Sequence, residues 1–313
     1  MKKCLVIGAA MLDIVMQIDE LPKKGEDVYA KSQTMTVGGC AYNVADIMKH
    51  FAVPYTLFAP IGTGMYASMI REKLKQAEHE SPIESTKMDN GYCLCMVESD
   101  GERTFLTLPG IECTFEKEWF DALDVTEYDS VYICGYEIEG DGGDQIIDFL
   151  EKNRDLDIYY APGPRITYIS GEKHNRIMKL HPVLHLNEKE AIDFTGCGSM
   201  EEAATKLEQM TDNRVIITVG SKGAYLQENG HGMLIPSEKA AVVDRSRGFS
   251  YRSSDLCCDV PEIIRGCGCG GKQGFGCSGR SGRSFHFRGR ISTDKFLKEN
   301  NFILSKEKKY GKD

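Results

Sequence analysis

No apolar run in the 313-residue sequence approaches the length of a membrane-spanning helix, which needs about 20 residues. Positive charge is also scarce. Lysine and arginine total 38 against 47 acidic residues, a net charge of −9, which argues against a general polyanion-binding surface and so against nucleic acid as a partner. No internal repeat is present. Lys2-Lys3 followed by Cys4 to Leu12 imitates a short secretion signal, but Asp13 cuts the run off and no small-residue cleavage site follows. A buried first strand is the expectation. Twelve cysteines could build a disulfide framework, yet seven are scattered singly or as Cys93-x-Cys95, so a reducing cytoplasm is expected. With 41% hydrophobic and 27% charged residues, the composition suits a soluble globular protein long enough to bury a sizeable core. The length allows two domains or one large α/β domain.

What is present through residue 244 is an alternation of strand and helix. Apolar runs at Leu5–Ile7, Tyr55–Phe58, Val131–Cys134, Ile158–Ala161, Val183–Leu186 and Val215–Val219 read as strands buried on both faces. Amphipathic stretches at Tyr42–Phe51, Met65–Gln76, Gly143–Lys152 and Met200–Met210 separate them. That order predicts a mainly parallel sheet covered by helices. Asp13–Asp19 alternates, and Tyr92–Glu98 pairs with Thr104–Leu108 across Asp100-Gly101; these predict antiparallel strands in a small sheet standing off the main one as a lid.

The composition then changes. Met1 to Asp244 carries 17 Lys and 6 Arg, whereas the 46 residues from Arg245 to Arg290 carry 8 Arg, 1 Lys, 10 Gly and 5 Cys. Apart from Val260–Ile264 that segment has no apolar period, and it reads as unable to bury enough surface to offset its ordering entropy. The predicted division is an α/β domain over 1–244, with lid strands near 13–36 and 90–109, and an aberrant Gly/Arg/Cys-rich segment over 245–313.

Several motifs could carry chemistry. Gly38-Gly39-Cys40-Ala41-Tyr42-Asn43-Val44-Ala45 is a glycine pair feeding a helix. Glycines let a ligand approach the backbone, the helix start offers N–H groups, and Asn43, one turn in, can both donate to and accept from a sugar hydroxyl. Plain loop geometry explains the glycine pair equally well. Asp13, five residues after Gly8, reads as a hydroxyl ligand or as a solvated turn residue. The ring of Tyr42 could stack on a base or sugar face, or pack the helix.

Gly38-Gly39-x-Ala41-x-Asn43-x-Ala45, then Gly62, resembles the N-terminal signature of the PfkB/ribokinase family of sugar and nucleoside kinases. Ala52 stands where that pattern wants Gly or Ser, and Gly62-Thr63-Gly64 lacks the acidic residues many members carry. Gly8-x4-Asp13 resembles the first-strand substrate motif, Asn187-Glu188-Lys189-Glu190 the Asn-x-x-Glu associated with magnesium and phosphate, and Thr218-Val219-Gly220-Ser221-Lys222-Gly223 the Thr-x-Gly-x-x-Gly nucleotide loop. The resemblance spans residues 3 to 244. It implies a ribokinase-like three-layer αβα fold with a mainly parallel sheet and a β-sheet lid, and an ATP-dependent kinase acting on a hydroxymethyl group of a sugar or nucleoside. By resemblance, Asp13, Gly38, Gly39 and Asn43 hold substrate, while Asn187, Glu190, Thr218, Gly220 and Gly223 serve Mg-ATP. Glu190 would act on Mg²⁺ through ordered water, since that ion keeps most of its hydration shell. A monovalent cation and a homodimer through the lid are further implications. The residues agree: phosphoryl transfer needs chiefly positioning and charge stabilisation, and Gly220–Gly223 offers backbone contacts without side-chain obstruction. Asn187 and Glu190 also read as a helix N-cap with its N3 Glu, and both readings can hold together.

The family's second signature, roughly Asp-Thr-x-Gly-Ala-Gly-Asp, supplies an anion hole and the catalytic base. Here Val243-Asp244 is followed by Arg245-Ser246-Arg247-Gly248-Phe249-Ser250, so no catalytic base is assigned. A change of reading frame explains the loss. Gly248 to Ser253 can be encoded GGA TTC TCA TAT CGG AGC, and one base later this reads Asp-Ser-His-Ile-Gly, as expected after Gly-Ala-Gly. With synonymous codons chosen to suit, the same offset can turn Gly266 to Gln273 and Phe275 to Gly282 into helix-like sequence. The expectation is a kinase chain impaired by a frameshifted C-terminus, with a catalytically dead binding protein of the same fold as the alternative. Three other patterns then lose their force. Gly266-x4-Gly271-Lys272-Gln273 lacks the P-loop hydroxyl, and Gly266-x-Gly268-x-x-Gly271 lacks a strand–helix frame. Cys257, Cys258, Cys267, Cys269, Cys277 and His286 lack the Cys-x-x-Cys spacing of structural zinc. The Arg/Gly run from Arg280 to Arg290 resembles an RNA-binding segment in composition only.

Overall fold

The computed structural model describes residues 2–237. The boundary expected at Asp244, the altered signature and the Gly/Arg/Cys-rich segment lie outside the described residues. β1 (Lys3–Ile7) is an apolar run whose Leu5, Val6 and Ile7 are almost fully buried, as in a strand covered on both faces. Next come β2 (Met11–Gln17), β3 (Ser32–Gly38), α1 (Cys40–His50), β4 (Tyr55–Phe58), α2 (Met65–Gln76), β5 (Tyr92–Val97) and β6 (Arg103–Leu108). The chain continues through α3 (Lys117–Asp121), β7 (Tyr128–Cys134), α4 (Gly135–Glu139), α5 (Gly143–Lys152) and β8 (Asp157–Ala161). It then forms α6 (Gly171–Met178), β9 (Val183–Asn187), α7 (Glu188–Thr195), α8 (Met200–Thr211), β10 (Val215–Thr218), β11 (Ala224–Glu228) and β12 (His231–Ile235).

The main sheet has the order β12-β11-β10-β9-β8-β7-β1-β4. It is parallel from β4 to β10, with β11 and β12 added antiparallel at one edge. Alternate strand residues, among them Leu5, Ile7, Val131, Ile133, Leu184, Leu186, Val215 and Ile217, cluster with Ile146, Ile147 and Leu150 of α5 and Ala203, Ala204 and Leu207 of α8. Period 2 along the strands and period 3.6 along the helices thus meet in one core. From β1 the chain steps one way to β4 and later the other way through β7, β8, β9 and β10. Right-handed crossovers running in opposite directions place their helices on opposite faces. The order reverses between β1 and β7, and the carboxyl ends of those strands flank the crevice where open α/β sheets take ligands.

The lid is a separate sheet, β3-β2-β5-β6. β5 and β6 pair antiparallel from Tyr92↔Leu108 to Val97↔Arg103, as the Asp100-Gly101 turn predicts. β2 and β5, however, pair parallel, which corrects the all-antiparallel expectation. Both strands leave the body at one place: the Asn90 side chain donates to Ala10 O and Pro60 O, at 3.3 and 3.0 Å, so they must run outward together. Glu112 ties the two lid crossings by accepting from Gly91 N and Gly110 N at 2.9 and 2.8 Å. Among the described residues, no helix is long and apolar enough to cross a membrane.

Candidate active site

The Gly38-Gly39 pair closes β3 and starts α1. Gly39 has φ 101°, a region costly for any side chain, and a Cβ there would come within 2.5 Å of Ala9 O. Gly38 is held equally close by Asp13, whose carboxylate occupies the space a Cβ would need. The register explains this: Asp13 sits on β2 between Thr36 of β3 and Cys93 of β5. Asp13 is therefore a strand residue bearing on the glycine pair rather than a turn residue. Asn43 lies half-buried in the first turn of α1, its backbone N–H donating to Gly39 O at 3.0 Å. Tyr42, left open by the sequence, packs the helix: it is 7% exposed and meets His79 edge-on, ring centroids 5.4 Å apart.

A cavity of about 40 Å³ lies beside this turn, lined by Ala9, Met11, Gly39, Thr107, Tyr136 and Glu137, with Cys40, Glu112 and Cys113 completing the wall. Glu137 escaped the sequence reading. It stands on α4, just past the end of β7, and is 2% exposed. Burial pushes its carboxyl up to about 7, although the Cys134 thiol donates to Oε2 at 2.5 Å and Ala9 N–H also donates to it. Burial likewise raises Glu112. Two buried carboxyl groups on one small cavity form an arrangement suited to hydroxyl recognition, since each can accept when ionised and donate when neutral. A larger hollow, about 520 Å³, is lined by Arg71, Leu74, His79, Ser81 and their neighbours and includes none of the predicted site residues.

The second set assembles three strands away, at the ends of β9 and β10. Asn187 and Thr218 are register partners, and Thr218 Oγ1 lies 3.5 Å from Leu186 O. Asn187 caps α7 in a reciprocal capping box: its Oδ1 accepts from Glu190 N at 2.8 Å, and its own N–H donates to Glu190 Oε2 at 3.0 Å. After Thr218 the chain makes a tight turn, with Gly223 N donating to Gly220 O at 3.1 Å and Val219 N to Gly223 O at 2.9 Å. Gly223 has φ 111° and its Cα faces the Ile235–Ser237 backbone, so a side chain has no room. Among the described residues no group of three or more His, Cys, Asp or Glu could hold a metal ion. A lone carboxylate already accepting a backbone N–H fits a hydrated, phosphate-borne Mg²⁺, which keeps most of its waters, and does not fit a dehydrated ion. Asp13, Gly38, Gly39 and Asn43 thus come together at one end, and Asn187, Glu190, Thr218, Gly220 and Gly223 at the other. β7 and β8 lie between the two sets.

The fold agrees with the comparisons to known proteins. A family model for pfkB family carbohydrate kinases matches residues 1–245, and the chain belongs to that family. By that membership it is a kinase. It is 32% identical to the uncharacterized sugar kinase YegV of Escherichia coli strain K12 over 244 residues, covering 77% of this chain and 76% of that one. Among solved structures it resembles ribokinase from Thermotoga maritima, with TM-score 0.64, 22% identity, and coverage of 78% and 80%. It also resembles Arabidopsis thaliana ribokinase complexed with ribose and ATP, with TM-score 0.65, 19% identity, and coverage of 85% and 89%. At those identities the structural likeness establishes the ribokinase-like fold.

Proposed function

We propose that the family chain to which residues 1–244 belong is an ATP-dependent sugar kinase that phosphorylates a hydroxymethyl group. The observation carrying this reading is the cavity at the strand-order reversal, where the Gly39 turn and the buried Glu137 face one another beside the lid. Asp13, Gly38, Gly39 and Asn43 bind the sugar hydroxyls, and Glu137 contributes a carboxyl from the opposite wall. The lid strands β2 and β6 supply Met11 and Thr107 and exclude water. At the other end Thr218 and the Gly220–Gly223 turn present backbone to the nucleotide, with Asn187 and Glu190 beside the phosphates. When bound, Mg²⁺ would neutralise charge on the phosphates, with Glu190 orienting its waters. The sugar-kinase relative in Escherichia coli supports sugar over nucleoside, and the ATP of the Arabidopsis ribokinase complex supports ATP as donor. A monovalent cation and a cytoplasmic setting belong to the same reading.

Catalysis also needs an anion hole and a base, and the sequence after Asp244 contains no Gly-Ala-Gly-Asp run. Our reading is that a frame change follows Asp244 and leaves this chain a weak catalyst that retains its sugar site. Restoring the frame returns both groups. General-base assistance alone is typically worth about 10²–10⁴-fold, and anion-hole donors a comparable factor that does not multiply independently. The repaired chain should therefore exceed this one by at least roughly a hundredfold in coupled-assay turnover on a sugar panel. A folded, repaired chain no faster on any sugar would refute the kinase mechanism. The second reading, a catalytically dead sugar-binding protein, rests on that same missing run and is favoured if the gene has no intact alternate frame.

A homodimer through the lid is part of the proposal. β6 is an edge strand exposing Phe105, Leu106 and Leu108. Sedimentation should give a dimer that Leu106→Glu dissociates; a monomer at all concentrations would end this point.

A further inference from the structure

The cavity at the ends of β1 and β7 carries acid on two of its walls and no base. Glu112, in the turn that follows β6, and Glu137 of α4 both line it, 1% and 2% exposed. No lysine, arginine or histidine is among the described residues lining it. Asp13 adds a third carboxylate against Gly38 of the adjoining turn. Two cations do pack against α4, and both are engaged there. Arg165 forms an ion pair with Glu139, its guanidinium 4.2 Å from the ring centre of Tyr168 and 5.9 Å from that of Tyr136. Lys173 Nζ donates to Ile138 O and Gly140 O at 3.0 and 2.9 Å, at the end of the same helix.

The acceptor count points the same way. A carboxylate offers about four lone-pair positions. Glu112 uses three: Oε2 accepts from Gly91 N at 2.9 Å and from the Asn90 side chain at 3.4 Å, and Oε1 accepts from Gly110 N at 2.8 Å. The position left over takes a donor, and a sugar hydroxyl is one. Glu137 accepts from the Cys134 thiol at 2.5 Å and keeps further acceptor capacity. A carboxylate or phosphate on a ligand would bring acceptors and negative charge instead, and in so small an enclosed space the repulsion is weakly screened. We propose that Glu112 is a specificity-determining residue of this cavity and that, together with Glu137, it confines the ligand to sugars without an anionic group, excluding sugar acids and sugar phosphates. The inference rests on the proposed sugar site and narrows its substrate class.

The test is isothermal calorimetry of the full chain without nucleotide at pH 8, above the value of about 7 to which burial pushes Glu137. D-ribose, D-glucose and D-galactose are each titrated beside their uronate and their uronamide, two derivatives alike in shape and different in charge. A sugar that binds should be matched by its uronamide, while its uronate binds at least about tenfold more weakly, the cost of an unpaired like-charge contact. Glu137→Gln keeps an oxygen for the Cys134 thiol and should bring uronate and uronamide within about threefold of each other. Glu112→Gln should do the same. Its folding is checked by circular dichroism, because its amide nitrogen meets a backbone N–H; where it does not fold, the ligand pairs on the unaltered chain and Glu137→Gln decide. A uronate that binds as well as its uronamide overturns the proposal and leaves the sugar site standing. A uronamide rejected as firmly as the uronate also overturns it, since size rather than charge then excludes both. Unchanged discrimination in the folded variants removes the two carboxyl groups as its cause. No heat from any sugar ends the sugar site and this inference with it.

Discussion

Where β1 and β7 end, two carboxyl groups, two thiols and a positive-φ glycine turn line one small cavity, and burial drives Glu137 up to about 7. Where β9 and β10 end, Asn187 and Gly220 are exposed and the ordering comes from backbone turns and a capping box. One sheet edge thus offers two kinds of recognition. The enclosed end is selective, because a buried polar group left unmatched is costly and a ligand must satisfy it. The open end positions a ligand through peptide groups, which suits phosphates. On the proposed reading the difference separates binding from catalysis, since every residue named at the enclosed end lies within residues 2–237.

The largest effect expected of a single substitution is at Glu137. Its folded value of about 7 lies above the ordinary 4.5, so the folded state keeps a proton that the unfolded chain has lost. Its contribution is full below pH 4.5 and is lost as pH rises to about 7. At about 1.4 kcal/mol per pK unit the loss is on the order of 3 kcal/mol, and Glu112 adds in the same direction. Denaturant titrations from pH 4 to 8 should show this decline, and Glu137→Gln should flatten it; an unchanged profile would make the two ends electrostatically alike. Next comes Asn43→Ala, which should weaken the binding of whichever sugar binds by about tenfold, the worth of a good hydrogen bond, with little change in melting temperature. Equal losses of binding and stability would make Asn43 a packing residue. The smallest effect is at the open end. Asn187→Ala removes the cap of α7 and should cost about 1 kcal/mol, a shift of a few degrees in melting temperature, with sugar binding untouched. A fall in sugar affinity there would erase the division between the ends.

Strong periodicity carried most of the fold. Met65–Gln76, Gly143–Lys152 and Tyr55–Phe58 have the bounds their apolar patterns predict. β11 and β12 were not read because their apolar content is thin. Their signal lay in the turn, Asn229-Gly230, both at positive φ as a two-residue hairpin requires. α6 was also missed: it buries only His174, Ile177 and Met178, and its clearest mark is the Ser170 cap. At the site, spacing exposed Asp13, Gly38, Gly39 and Asn43 because they lie on consecutive elements. Glu137 had no such signal. Only the placement of β7 against β1 brings it to Ala9, and that adjacency is a property of strand order rather than of local sequence.

The enclosed end should bind a sugar independently of phosphoryl transfer. Isothermal calorimetry of the chain as it stands, without nucleotide, against a panel of sugars and nucleosides measures this directly. At least one sugar should give saturable heat even where turnover is nearly absent. A folded protein giving no heat with any member of the panel would contradict it.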